Sequence, residues 1–312
     1  MATMKAVRMY EYGGPEVLKY ENAPRPEPSS NDFLVRVHAA AVNPIDWKIR
    51  QGRLKDWLKF SLPVTLGYDL SGVVESAGPG VSKFKVGDEV YAYLDFPRIG
   101  AYAQYALATE SEAALKPASL EHAQAAAVPL VALVVWQAFF DIAKLSPGQT
   151  VLIHGASGGI GHLAVQAAKW KGARVIGTSS LDNLDFVRNL GADEVIDYRV
   201  TRFEDVVSGV DVVLDTVGGE TQERSWQVMK DGGVLVSVAG VASPDAAARN
   251  GVRAVAMITH PDARQLAEIA SLIDAGTLKP AVQAVLPLSS ASKAHQLSEE
   301  GKVYGKIVLR VA

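Results

Sequence analysis

The sequence contains no cysteine. That absence excludes disulfides, thiolate catalysis and cysteine-ligated zinc. An excess of one charge is also lacking: 31 Lys and Arg stand against 34 Asp and Glu, a formal net charge of −3. Nothing in that balance attracts a nucleic acid or an anionic membrane, and no basic run is interleaved with aromatics. Histidine is sparse, and no pair among His38, His122, His154, His162, His260 and His295 has the helical spacing of a metal site. Long apolar runs are missing but for residues 123–140, which carry no charge. Pro129 interrupts that run and Gln124 and Gln137 are polar, so it reads as two buried helical pieces meeting near Pro129 rather than a membrane span. The first ten residues hold no apolar core of signal-peptide length. The expectation is a cytoplasmic protein with neither a nucleic-acid nor a membrane partner.

What is present is an ordinary globular composition, 48% hydrophobic and 21% charged over 312 residues. That length suits about two domains. The most informative stretch is Val151-Leu-Ile-His-Gly-Ala-Ser-Gly-Gly-Ile-Gly161. It reads as a buried strand, a glycine-rich turn and the first turn of a helix over 159–171. Gly158 lets backbone approach a pyrophosphate, Gly161 lets the helix pack close to the sheet, and the helix N-terminus offers N–H groups and a positive dipole end. Gly155, Ala156, Ser157, Gly158, Gly159 and Ile160 are therefore the first cofactor-binding candidates.

The first third reads as short strands separated by Gly and Pro turns: Lys5–Met9, Phe33–Ala41, Val64–Ser76 and Glu89–Tyr93. This pattern predicts a small, twisted β-barrel. Further on, strands at 151–154, 174–178, 194–197, 210–215, 233–239 and 253–258 alternate with helices. Alternation of this kind predicts a mostly parallel, doubly wound sheet. The tail carries helices near 261–275 and 290–299 and a last strand at 306–311, in which basic and apolar residues alternate. Because the parallel sheet already has its strands, the tail is expected to return to the β-rich domain. The expected division is 1–124 with 260–312, and 125–259.

These motifs, in this order, resemble the zinc-free medium-chain dehydrogenase/reductases of the quinone oxidoreductase (ζ-crystallin-like) type. The resemblance runs through Met4-Lys-Ala-Val7, Val42-Asn-Pro-Ile-Asp46, Gly67-Tyr-Asp-Leu-Ser-Gly-Val-Val74, Val86-Gly-Asp-Glu-Val90 and Ala127-Val-Pro-Leu130. It continues through the glycine turn, Leu190-Gly-Ala-Asp193, Val195-Ile-Asp-Tyr198, Asp215-Thr-Val-Gly-Gly219 and Gly305-Lys-Ile-Val308. The resemblance implies an α/β protein with a GroES-like β-barrel domain, a Rossmann domain and a nicotinamide cleft between them. Zinc-dependent relatives carry a cysteine at the position of Asn43 and a His-Glu pair at Tyr68-Asp69. An amide and a phenol are poor zinc ligands, so no metal is expected. The sequence departs from its relatives at Val134, where a threonine usually stands near the nicotinamide ribose.

NAD-specific members of this fold end the second strand on a carboxylate that holds the ribose hydroxyls. Here that place holds Thr178, Ser179 and Ser180, which favours NADPH, although Asp182 follows closely. Tyr198 and Arg199 end the third strand beside the expected adenosine site, where Arg199 can pair with a 2′-phosphate. Topology adds Val217, Ala239, Gly240 and Val241 near the ribose and nicotinamide. Lys306 resembles the family lysine near the cofactor cleft; its plain alternative is an exposed charge before the last strand.

Without a metal to polarise a carbonyl, an acceptor that is already electrophilic is expected, a quinone or an α,β-unsaturated carbonyl. Asn43 and Tyr68 are the candidates to donate to the acceptor oxygen, with Asp46 beside them. Trp47 is a candidate wall for a flat substrate, and Lys48 a candidate to orient it. The plain alternatives are a capped turn at Asn43 and Asp46, core packing for Trp47 and a barrel-edge filler at Tyr68. The leading expectation is an NADPH-dependent quinone reductase. An alkenal, enone or enoyl-thioester reductase is the alternative, and an NADPH-binding sensor with little turnover is a third reading. A short-chain dehydrogenase is disfavoured, because no tyrosine has a lysine four residues later. A homodimer is expected, pairing through the apolar edge strand Val252–Ile258.

Overall fold

The computed structural model describes residues 2–96, 98–241 and 243–312. The chain divides into two compact units, residues 1–130 with 260–275 and 280–312, and residues 131–259 with 276–279. The first boundary thus follows Leu130, within the helix Pro129–Trp136, rather than residue 124.

The first unit is built around the strand Asp32–Val42. It pairs antiparallel with Asp69–Ala77, with Lys306–Arg310 and, along its first residues, with Tyr105–Thr109. The sheet continues to Val282–Pro287 beyond Lys306–Arg310, and to Glu89–Tyr93 and Ala113–Leu115 beyond Asp69–Ala77. A smaller sheet joins Leu18–Pro24, Thr3–Met9 and Val64–Thr65. Register shifts along the Asp32–Val42/Asp69–Ala77 pair bend the sheet, as bulges do. Val42 stands opposite Ile307 and Ala41 opposite Asp69. That register brings Asn43, Asp69 and Lys306 to one end of three adjacent strands.

Several expectations change here. The run Val64–Ser76 is two strands, broken where Gly67 adopts a φ of 99°. Leu18–Pro24, Tyr105–Thr109, Ala113–Leu115 and Val282–Pro287 are strands that the apolar pattern did not mark. The last strand returns to the β-rich unit as expected. It does not alternate inside and outside, however: Lys306, Ile307, Val308 and Leu309 are all buried, because strands flank it on both sides.

The second unit is a six-stranded parallel sheet in the order Glu194–Asp197, Arg174–Ser179, Thr150–Ile153, Val210–Asp215, Met229–Ser237, Arg253–Ala256. This is the doubly wound order 3-2-1-4-5-6, whose direction of winding reverses beside the first strand. Val151, Leu152 and Ile153 are fully buried, which suits a central parallel strand covered on both faces. Burial of each such side chain contributes about 1.5–3 kcal/mol. Leu152, Ile176, Val213 and Leu235 share one core with Phe203 and Trp226. The helix Gly161–Trp170 follows the first strand. Arg253–Ala256 is the outermost strand, shorter than its apolar run suggested. The uncharged stretch breaks at Pro129 as expected, into helices His122–Ala126 and Pro129–Trp136, the latter running into a wider helical turn at Gln137–Ile142. Among the described residues no helix is long and apolar enough to cross a membrane.

Candidate active site

In the parallel-sheet unit, the first strand ends at Ile153 and the chain turns through residues 154–160. Gly155 sits at a φ of 72°, a conformation that side chains resist. A Cβ on Gly161 would lie 2.2 Å from Gly155 O and 2.6 Å from Ala156 Cα, so only glycine lets the helix start against the turn. A Cβ on Gly158 would meet only Gly155 O, at 3.3 Å, a tight contact but far less severe than at Gly161. The helix begins at Gly161, and no side chain at its N-cap, Ile160, caps it. The His162 N–H is bonded to Gly158 O at 3.0 Å, while the lack of a side-chain cap and the positive dipole end suit an anion.

The ends of the neighbouring strands tie this turn in place. Ala156 N–H donates to Thr178 O at 2.9 Å, Gly155 N–H to Thr178 Oγ1 at 3.3 Å, and Ser179 Oγ to Ser157 Oγ at 3.0 Å. His154 is fully buried, with Nδ1 3.2 Å from Thr178 Oγ1 and Nε2 2.9 Å from Ser225 Oγ. Burial pushes its imidazole down to about 4, so it stays neutral between these hydroxyls. Ser180 is half-buried, and Tyr198 and Arg199 are exposed, with the guanidinium 5.9 Å from the tyrosine ring centre. Asp197, in register with Ser179, accepts from the Arg199 N–H at 3.0 Å.

Asp215 organises the far side of the switch point. Its Oδ1 accepts from the N–H groups of Val217 and Gly218 at 2.9 and 2.8 Å. Its Oδ2 accepts from Gln222 Nε2 and Ser237 Oγ, both at 2.7 Å. Gln222 Nε2 also donates to Gly240 O at 2.7 Å. One buried carboxylate thus fixes both the Val217–Gly218 turn and the exposed Ala239–Gly240 segment, while Val241 is half-buried.

The β-rich unit carries a second, buried polar cluster. Asn43 stands before the helix Pro44–Arg50, and its backbone N–H donates to Asp46 Oδ2 at 2.8 Å. Asn43 Nδ2 donates to Asp69 Oδ2 at 2.9 Å, and Asn43 Oδ1 accepts from Lys306 Nζ. Lys306 Nζ also donates to Val42 O at 3.2 Å and lies 3.7 Å from Asp69 Oδ2. Asp69 Oδ1 takes the Leu130 N–H at 2.8 Å. Burial pushes the Asp69 carboxyl up and the Lys306 ammonium down, each opposed by the other's charge. Tyr102 donates to Asp46 Oδ2 at 2.8 Å, while Asp46 Oδ1 is buried without a partner. Burial raises the Asp46 carboxyl to about 7, against the pull of the Asn43 and Tyr102 hydrogen bonds.

Lys306 is therefore no exposed charge: only 3% of it is exposed and its ammonium points inward. Tyr68 is fully buried, its hydroxyl has no partner, and burial raises its phenol so that it holds its proton. Trp47 is half-buried between cations, with Lys48 Nζ and Arg53 Cζ 5.7 and 5.3 Å from its ring centre. Burial, with Arg53 nearby, pushes the Lys48 ammonium down. The structure thus gathers Asn43, Asp46 and Lys306 into one network and leaves Trp47 and Lys48 on the outer side of the same helix. Asp69, Tyr102 and the Asp215–Gln222 pair were absent from the sequence-derived candidates. Asp69 and Asp215 lie within motifs already noted; nothing local in the sequence marks Tyr102 or Gln222.

Comparison with known proteins agrees with this fold. The Alcohol dehydrogenase GroES-like domain family matches residues 29–118, and the Zinc-binding dehydrogenase family matches residues 190–309. The chain is 33% identical to the Quinone oxidoreductase of Rattus norvegicus, covering 98% of this chain and 97% of that protein. It is 35% identical to the 2-methylene-furan-3-one reductase of Solanum lycopersicum, covering 98% and 79%. The solved Escherichia coli quinone oxidoreductase complexed with NADPH superimposes with a TM-score of 0.90 at 30% identity, covering 99% of this chain and all of that one. The chain belongs to the medium-chain dehydrogenase/reductase family, as a nicotinamide-dependent oxidoreductase of the quinone oxidoreductase type.

Proposed function

We propose that the chain is an NADPH-dependent reductase of quinones that works without a metal. The observation that carries the reading is the uncapped helix N-terminus behind the Gly155–Gly161 turn, at the switch point of a 3-2-1-4-5-6 sheet. The turn fits a pyrophosphate, with the least crowded position at Gly158. The second strand ends on Thr178, Ser179 and Ser180 rather than on a carboxylate, and the half-buried Ser180 is the least enclosed of the three, which supports NADPH over NADH. Arg199 and Tyr198 flank the adenosine 2′-phosphate in this reading. Val217, Ala239, Gly240 and Val241 border the ribose and nicotinamide.

The cofactor supplies a hydride. The chain holds the acceptor and stabilises negative charge growing on its oxygen. Tyr68 is the donor best suited to that task, since its phenol is neutral and its hydroxyl unpartnered. Asn43 is the second donor: Lys306 holds its carbonyl, which orients its amide. Lys306 acts here through Asn43, and Asp46 through its grip on the same backbone turn. Trp47 and Lys48 border the acceptor. Zinc does not suit this donor set. The Lys306 ammonium already neutralises Asp69, and an amide and a phenol replace the thiolate and imidazole that zinc prefers.

The similarity to an enone reductase supports a second reading, reduction of α,β-unsaturated carbonyls on the same site. Chelator-treated protein should be assayed for NADPH oxidation at about 340 nm, the reduced-nicotinamide band. A quinone, an enone, a 2-alkenal and a plain aldehyde would run in parallel. Turnover confined to the enone and alkenal promotes the second reading. NADPH binding without turnover of any acceptor replaces both with a sensing role. We further propose a homodimer formed along the edge strand Arg253–Ala256, just beyond which Ile258 is 67% exposed. Val255→Lys should then yield monomers by light scattering; a monomeric unaltered chain refutes the pairing.

A further inference from the structure

We propose that Trp57 and Phe96 form an aromatic platform that binds planar, electron-poor bicyclic quinones and so sets the acceptor preference; this deepens, and rests on, the reductase reading above. Neither residue was among the sequence-derived candidates. Trp57 is 55% exposed, an expensive place for so large an apolar side chain. A single exposed aromatic carries no argument, but Trp57 is one end of a continuous series. Its ring centre lies 5.7 Å from that of Phe96, which lies 4.7 Å from that of Tyr68. Tyr68 is 6.0 Å from Tyr93 and immediately precedes Asp69 of the buried polar cluster. The series therefore runs from solvent to the residue whose unpartnered hydroxyl is the proposed donor to the acceptor oxygen.

The platform is held in place. Phe96 N–H donates to Asp95 Oδ1 at 2.8 Å, and Asp95 N–H to Glu112 Oε1 at 2.8 Å. Glu112 is 2% exposed and is itself fixed by the Thr109 N–H at 2.6 Å. Trp57 N–H donates to Leu54 O at 3.0 Å, closing the turn that carries the indole. Rigid aromatic faces lose little entropy when a flat ligand stacks on them. Indole is electron-rich and a quinone ring electron-poor, so their quadrupoles attract face to face. A short 2-alkenal offers only one conjugated double bond and carbonyl, and gains little from the same surface.

The test compares 1,4-naphthoquinone with 2-hexenal in the unaltered chain and in Trp57→Ala, Phe96→Ala and Trp57→Phe. Each alanine variant should lose about 3- to 10-fold in kcat/KM for naphthoquinone, the worth of one aromatic contact, with 2-hexenal changed less than twofold. Trp57→Phe should recover most of the naphthoquinone activity. Independently of turnover, naphthoquinone should quench tryptophan fluorescence in the unaltered chain, and Trp57→Phe should lose most of that quenching. Equal losses for both acceptors, no loss for either, or quenching that survives Trp57→Phe would overturn the platform while leaving the reductase reading intact. Absence of turnover with every acceptor would instead refute the reductase reading, and the quenching comparison would still decide whether the platform binds quinone.

Discussion

Asp46 offers the sharpest test of the buried cluster. Its carboxyl rises from 3.8 in the unfolded chain to about 7 when folded, chiefly because it is buried. That gap corresponds to about 4 kcal/mol of stability. Since the folded value is the higher one, folding favours the protonated acid. The contribution is fully present below pH 3.8 and is lost as pH rises through about 7. The substitution Asp46→Asn keeps a side-chain oxygen to accept from the Asn43 N–H and the Tyr102 hydroxyl, but removes the charge. The variant should therefore gain on the unaltered chain by up to about 4 kcal/mol between pH 4 and pH 8.

The slope of the unaltered chain alone cannot be used, because buried histidines act in the opposite sense. Burial lowers His295 to about 3, and His154 and His122 to about 4. Their contribution is present above their unfolded value of 6.5 and is lost as pH falls below it. Other charged groups around Asp46, namely Asp69 and Lys306, are common to both proteins. Urea unfolding of both proteins at pH 4, 6 and 8 isolates the Asp46 effect as a difference. A difference that stays constant within about 0.5 kcal/mol would refute the claim that burial governs this carboxyl.

Three further outcomes follow from the same geometry. Ser179→Asp should raise the Kd for NADPH by about tenfold or more and spare NADH, since a carboxylate beside a phosphate costs about 1–4 kcal/mol; equal affinities in the unaltered chain would reverse the cofactor assignment. Gly161→Ala should cost at least about 1–3 kcal/mol in urea unfolding because its Cβ meets backbone, whereas Gly158→Ala should cost clearly less than Gly161→Ala in stability and weaken NADPH binding in a titration. Lys306→Met should cost about 3–5 kcal/mol by stranding the Asp69 carboxylate, and adding Asp69→Asn should restore much of it; additive losses in that double-mutant cycle would remove the ion pair from the account.

The parallel-sheet unit was largely legible in the sequence because its signals are local. A buried apolar run, a glycine turn and a helix with small residues on one face occupy consecutive positions, and each of the six strands lies within a few residues of its expected place. The β-rich unit was less so. Leu18–Pro24 and Val282–Pro287 alternate polar and apolar residues weakly and lie at sheet edges, where burial constrains sequence least. Lys306 had two readings, a lysine near the cofactor cleft and an exposed charge before the last strand. Only the exposed reading falls: the strand is flanked on both sides and its lysine is buried among polar partners.

That lysine also shows why motif reading stopped short of the site. Asn43, Asp69 and Lys306 come from three separate stretches, and the register Val42↔Ile307 and Ala41↔Asp69 makes them neighbours. No local spacing encodes that register; it follows from which apolar faces the whole sheet buries. Once it is fixed, the electrostatics are constrained. Two carboxyls and one ammonium are buried together, so the second carboxyl, Asp46, is driven toward its neutral form, with burial as the main cause and the Asp69 charge adding to it. Within that cluster Lys306 holds Asn43 and Asp69 together, through the Asn43 carbonyl and the Asp69 carboxylate. In the reading proposed above, the unpartnered Tyr68 hydroxyl is the group that meets negative charge on an acceptor oxygen.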